Sequence, residues 1–283
     1  MRMLLIGLAL AAANSLASGQ SAMPTNNVLT RVLMIQSQFG RGTVFSVDVD
    51  GREYWITAKH IVTGAQHSPY GELLAQKARL SVLNPRADGE QWIEREFAII
   101  DTGLDVDEVV LAPATPLLES PLPSVNTTSE WVMLGGNCAF LGFPYGGGWK
   151  ATFADGRSSW MPFVKQCGVS AMIRDPQRIW ILDGINNVGF SGGPVLYKTA
   201  TDQRIFAVIS GYRLEPTDVI SSGALRLSTP PQVGNSSERE QRGSQAPQRE
   251  TVNLNSGFII AYDIRYAIEA IHKNPIGPVR NGR

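Results

Sequence analysis

Apolar residues in this chain fall in short runs broken by glycine, proline and polar positions. That is the rhythm of strands joined by turns rather than of long helices. Residues 28–36 read as a half-buried strand and 40–49 as a second. Asp50-Gly51 reads as a hairpin turn, with 53–58 returning as the partner strand. Residues 80–83, 92–93, 97–101 and 109–111 continue the rhythm. Residues 113–130, with Pro113, Pro116, Pro121 and Pro123 among Ser, Thr and Asn, read as a linker between two halves. In the second half, 131–143 and 163–173 read as strands flanking a loop over 145–161. Further strands are expected at 179–182, 195–197 and 205–212. From 217 to 255 the composition shifts to Ser, Gln, Glu, Arg, Pro and Gly, which reads as a disordered insertion. Residues 257–262 form a last buried strand, and 265–273 an amphipathic helix with Tyr266, Ile268 and Ile271 apolar.

Composition agrees with that outline. At 283 residues and 43% hydrophobic content the chain can bury a large core, divided here into halves at 28–112 and 131–273. Lysine and arginine number 25 and the acids 25, a balance that removes the electrostatic case for nucleic acid or an acidic membrane surface. Residues 1–17 read as a signal peptide: Arg2, an apolar run over 3–13, then Ser15-Leu16-Ala17 as a small-x-small cleavage site. The run is shorter than the roughly 20 residues a membrane span needs. Export to the periplasm or the medium is therefore expected, with no membrane insertion after cleavage. Residues 18–28, small and polar, read as a loose mature N-terminus. In an oxidising compartment Cys138 and Cys167 can form one disulfide or remain two buried thiols. No Cys/His cluster has metal-ligand spacing, so no metal is expected.

A serine hydroxyl is a poor nucleophile and needs an adjacent base and a ready cradle for the oxyanion it creates. Gly189-Phe190-Ser191-Gly192-Gly193-Pro194 can supply the cradle. Small residues on both sides of Ser191 let the backbone turn tightly and aim the Gly189 and Ser191 N–H groups at one point. Alone, the stretch can also be read as a glycine-rich turn between strands. Of the three histidines, His67 lies in a polar stretch and His272 on the last helix. His60 directly follows the strand at 53–58, the rigid support a general base requires. A buried carboxylate beside it would fix the imidazole tautomer, and Asp105 and Asp107 both stand just ahead of the apolar run 109–111.

Thr57-Ala58-x-His60, Asp107-x-Val109-Val110-Leu111 and Gly189-x-Ser191-Gly192-Gly193-Pro194, in that order, resemble the trypsin/chymotrypsin-like serine proteases, and most closely their bacterial exported Deg-type branch. The order is informative, because unrelated serine hydrolases run the triad differently. Gly40-x-Gly42-Thr43-x-Phe45, Cys138-Ala139-Phe140-Leu141-Gly142-Phe143-Pro144 and Gly257-Phe258-Ile259-Ile260 resemble strands of the same branch, so the resemblance spans about residues 28–271. It implies an all-β fold of two antiparallel six-stranded β-barrels with a C-terminal helix and the site in the cleft between them. It further implies a His60-Asp107-Ser191 triad, an oxyanion hole of Gly189 and Ser191 N–H groups, polypeptide substrates and no cofactor. Asp107 is the match because Asp105 would put Asp107 where the pattern is apolar. Ser210 falls where the family keeps a serine beside the catalytic Asp.

The departures carry information too. Phe190 stands where the animal enzymes have an Asp that pairs with a newly cut N-terminus, so activation by N-terminal insertion is not implied. Ile61 and Tyr197 stand where those enzymes have cysteines, so any disulfide here joins Cys138 to Cys167 across neighbouring strands. No peptide-binding PDZ domain is expected after the helix, so the regulated cage assembly of many Deg-type proteases is not implied. The resemblance implies that Ile185 falls where the family places the base of its primary pocket, and Ser210, Gly211 and Tyr212 along its wall. An isoleucine cannot pair a cation, and Tyr212 replaces the glycine of an open pocket. Cleavage after small or medium aliphatic residues is therefore expected. Two other readings share these motifs: a catalytically silent relative kept as a binding module, and a processing protease that cuts one partner or its own 217–255 segment.

Overall fold

Antiparallel strands with unpaired edges invite unwanted pairing, and closing the sheet removes the edges. The computed structural model describes residues 24–280 except 66–69, 71–75, 88, 119–121, 154–155, 157, 200–201 and 221–248, so the signal-peptide reading and His67 lie outside the described residues. The first half begins with a helical turn, α1 (Asn26–Leu29). There follow β1 (Val32–Ser37), β2 (Gly40–Val49), β3 (Arg52–Thr57), α2 (Lys59–Thr63), β4 (Lys77–Leu83), β5 (Trp92–Asp101) and β6 (Val109–Pro113). Its strands close into a barrel in the order β1-β2-β3-β6-β5-β4. The second half holds β7 (Asn126–Thr127), β8 (Asn137–Gly142), β9 (Trp149–Thr152), β10 (Ser158–Met161), β11 (Phe163–Ile173), β12 (Ile179–Asp183), β13 (Pro194–Lys198), β14 (Gln203–Ile220) and β15 (Arg249–Asp263). Here β13-β8-β11-β12-β15-β14 closes through a β13–β14 pairing, with β7 added parallel to β14 outside the ring. Helix α3 (Arg265–Lys273) follows. The expected architecture, two six-stranded antiparallel barrels with a C-terminal helix, is the one observed.

The Asp50-Gly51 turn illustrates how local sequence sets register. Val49 pairs with Arg52, leaving a two-residue loop, and both loop residues have positive φ (50° and 73°). That is a type I′ turn, whose twist matches the flanking strands and which Asp-Gly favours. Side-chain alternation then feeds two cores from each strand. From β1, Val32 and Met34 join one cluster and Leu33 and Ile35 another; from β3, Tyr54 and Ile56 join the first and Trp55 the second. The first cluster also contains Leu141, Leu196 and Val208 of the second barrel and Ile264, Ala267 and Ile271 around α3, so the barrels share one apolar seam. Phe140, Phe190 and Phe206 anchor the second barrel's own core.

Four expectations are corrected. The strand expected at 28–36 starts at Val32, because Thr25 to Leu29 closes a helical turn in which the Thr25 carbonyl accepts from the Val28 and Leu29 N–H groups. The strand expected at 131–143 starts at Asn137: Trp131 has φ 66° and is 77% exposed, and Gly135 turns the chain with φ 76°. The loop expected over 145–161 contains the β9–β10 hairpin, with Trp160 paired to Lys150. Finally, ladder pairing runs into both ends of the segment read as a disordered insertion, with Thr217 opposite Val252 and Ile220 opposite Arg249. Backbone bonding continues an existing ladder whatever the side chains, which is why composition did not reveal it. The middle of that segment lies outside the described residues.

Helix α3 docks on the first barrel through a carboxyl group. Glu108, fully buried, accepts the Ala267 N–H on Oε1 at 2.8 Å, satisfying a first-turn donor that the helix itself cannot use. Its Oε2 has no partner. Burial holds the Glu108 carboxyl well above the usual range; the Ala267 N–H opposes this, and nearby Asp263 and Asp107 add to it. An acid whose folded pKa is raised binds its proton more tightly in the native state. Its contribution is full at acid pH and is lost as pH rises through the folded value. Urea unfolding as a function of pH should therefore show stability declining upward from the ordinary carboxylate range, and Glu108→Gln should flatten that decline. Parallel curves for the two proteins would exclude a protonated Glu108.

Candidate active site

The register of β3 on β6, with Thr57 opposite Val109, brings the residues just after β3 beside those just before β6. His60 on α2 and Asp107 thus meet. The His60 backbone N–H donates to Asp107 Oδ1 at 2.9 Å, and His60 Nδ1 lies 2.7 Å from Oδ2. With Nδ1 donating, Nε2 is left as the acceptor nitrogen. Asp107 is 1% exposed, and Ser210 Oγ, from β14 of the second barrel, donates to its Oδ2 at 2.5 Å. Asp105 is exposed and takes no part in this arrangement. Fully buried Lys59 ties α2 to the loop ahead of Asp107, pairing with Asp101 at 2.5 Å and donating to the Gly103 carbonyl.

Ser191 lies between β12 and β13 in a loop with no room for side chains. A Cβ on Gly192 (φ 83°) would sit 2.2 Å from the Thr43 carbonyl, and one on Gly189 (φ 101°) 2.2 Å from the Phe143 carbonyl. The loop is fixed from both barrels. Thr43 of β2 donates its N–H to the Ser191 carbonyl (2.8 Å) and its hydroxyl to the Gly189 carbonyl (2.7 Å). The Gly192 N–H donates to Ile209 O at 2.7 Å and the Gly193 N–H to Phe190 O at 2.8 Å. Between Gly189 and Gly193, only the Gly189 and Ser191 N–H groups have no partner among the described residues.

The orientation of the first of those two N–H groups follows from turn geometry. The Phe190 N–H donates to Asn187 O at 3.3 Å, closing a turn with Gly189 at its third position. Positive φ at Gly189, with Val188 not in that region, makes the turn type II. The Val188 carbonyl accepts the Tyr145 N–H at 2.7 Å. Across a trans peptide, C=O and N–H point oppositely, so the Gly189 N–H points away from Tyr145. Ser191 Oγ itself donates to the Ser210 carbonyl at 3.1 Å, and no hydrogen bond joins it to His60.

Around the position expected for the primary pocket, Ile185 is 54% exposed and Gly211 and Tyr212 are partly buried. Buried Asn186, which the motifs did not single out, spans the two walls. Its Nδ2 donates to Gly211 O at 3.2 Å, and its own carbonyl accepts Asn255 Nδ2 at 2.6 Å. Lys165 was also missed. Its Nζ donates to the Ile185 carbonyl (2.6 Å) and Asn187 Oδ1 (2.5 Å) and lies 5.5 Å over the Phe190 ring; burial lowers its pKa. The available signal was alternation: Lys165 shares a strand face with Cys167 and Val169, both inward. Cys138 and Cys167 are directly opposite on β8 and β11 and form a disulfide.

No family model matches the sequence, and no curated protein does. Solved structures do match. The HtrA-type protease AlgW, solved with a tripeptide, is 15% identical with a TM-score of 0.50, over 88% of this chain and 61% of that one. Rv3671c from M. tuberculosis H37Rv, a serine-to-alanine mutant in an inactive form, is 15% identical with a TM-score of 0.47, over 90% and 95%. At such identities the likeness is one of fold, and the fold of this chain is that of the HtrA-type and other trypsin-like serine proteases.

Proposed function

We propose that this chain is an exported serine endopeptidase, with Ser191 as nucleophile, His60 as general base and acid, and Asp107 orienting His60. The observation that carries the reading is the Asp107–His60 bond at 2.7 Å, linked through Ser210 to the Ser191 loop, where the Gly189 and Ser191 N–H groups have no partner among the described residues. Ser191 Oγ turns from the Ser210 carbonyl toward His60 Nε2, gives it the hydroxyl proton and attacks the scissile carbonyl. The carbonyl oxygen takes the negative charge between the two N–H groups, each worth about 2.7–4 kcal/mol in enzymes of this kind. His60 then protonates the departing amine as the C–N bond breaks, and a water molecule deacylates Ser191 by the same steps. No cofactor enters this chemistry. This serine–histidine–aspartate chemistry is the general template for enzymes of the fold. Export rests on the 1–17 reading and accords with the Cys138–Cys167 disulfide.

One observation favours a silent or latent site instead: Ser191 Oγ is bonded to Ser210 O and not to His60. Labelling with a fluorophosphonate probe separates the two. Folded wild-type protein should take the label, Ser191→Ala should take none, and His60→Ala should slow labelling at least about a thousandfold. An unlabelled, folded wild type would establish the silent reading.

For specificity, we propose cleavage after small or medium aliphatic residues, supported by uncharged Ile185 and Tyr212 at the pocket. In a peptide library, cleavage after Val or Ala should exceed cleavage after Arg by at least about tenfold. Equal or better cleavage after Arg would overturn it.

A further inference from the structure

A type II turn differs from type I by a flip of its central peptide, here the one joining Val188 to Gly189. In the flipped form the Gly189 N–H would turn away and the Val188 carbonyl would take its place. A cradle that depends on this peptide therefore needs the turn held in one form before substrate arrives, because pre-organisation is what makes such donors effective. Phe190, at the position where the animal enzymes of this fold have an Asp, is fully buried and packs edge-on against Phe140, so it offers no ionic hold.

The hold comes from β11. The Lys165 ammonium carries three donors. Two are committed at 2.6 Å and 2.5 Å, to the Ile185 carbonyl just before the turn and to the side chain of Asn187, the turn's first residue. Its charge faces the ring of Phe190, the turn's last residue, at 5.5 Å. Asn187 passes the restraint on, its Nδ2 donating to Tyr145 OH at 3.1 Å, while the Tyr145 N–H holds the Val188 carbonyl at 2.7 Å. Among the described residues no carboxylate pairs with Lys165, and its ammonium is met by the Ile185 carbonyl, the Asn187 amide oxygen and the Phe190 ring. We infer that Lys165 is a positioning residue that holds the Asn187–Phe190 turn with the Gly189 N–H facing the cleft.

This inference rests on the proposed protease activity, and the test keeps the two apart. Lys165→Met retains the stem and removes charge and donors. Relative to wild type, kcat and the rate of fluorophosphonate labelling should fall about 10- to 100-fold, less than or comparable to outright loss of an oxyanion donor. KM should change by less than about threefold, since ground-state binding does not use the Gly189 N–H. Lys165→Arg should recover most of the loss. Asn187→Ala should cost a similar factor, and the double variant little more, because both residues restrain the same turn. Should Lys165→Met not fold, Asn187→Ala and Lys165→Arg carry the same comparison. Labelling of folded Lys165→Met at the wild-type rate, a loss seen only in KM, or additive losses in the double variant would overturn the inference. An unlabelled wild type would overturn the activity and this inference with it.

Discussion

The Asp107 carboxylate is closed off from water, and a buried carboxylate persists only where its lone pairs are met. Two of its donors come from α2 of the first barrel and one from β14 of the second. Neither barrel alone can satisfy it. The carboxylate therefore fixes the cleft as well as the imidazole, since moving the barrels apart would strand a charge in an apolar seam. The same strand that sends Ser210 to Asp107 also carries Gly211 and Tyr212, and its Ser210 carbonyl accepts the Ser191 hydroxyl. The bond to Asp107, the bond to Ser191 and the residues proposed for the pocket wall thus fall on consecutive positions of one strand.

What could be read from sequence was what local chemistry decides. The Asp50-Gly51 turn, the short strands and the three motifs are legible because each depends on neighbours a few positions away. The choice of Asp107 over Asp105 rested on an apolar residue two positions on, and in the fold it is Asp107 that bonds to His60. What could not be read depends on distant partners. Lys165 meets Ile185 and Asn187, and Asn186 meets Gly211 and Asn255, all through backbone or amide groups that leave no compositional trace. Apolarity misled where it was not buried: Trp131, Met133 and Leu134 look like strand residues, yet Gly135 and Gly136 break the run and leave them exposed.

Thr43 shows how little sequence is needed to join the halves. Its N–H and hydroxyl bind the Ser191 and Gly189 carbonyls, its hydroxyl accepts the Phe143 N–H, and its carbonyl accepts the Thr57 hydroxyl. A β-branched residue in a strand suits this role, because its restricted χ1 leaves few rotamers to compete with the one that aims the hydroxyl at the second barrel.

With both barrels latched through Thr43 and Asp107, moving one half against the other would break hydrogen bonds on both sides of the Ser191 loop. The direction of one peptide plane, Val188 to Gly189, decides what the Ser191 loop offers its surroundings: an N–H donor in the type II form, a carbonyl oxygen in the type I form. Passing between them would leave its radius of gyration and overall outline unchanged, so scattering would see one shape where chemistry sees two.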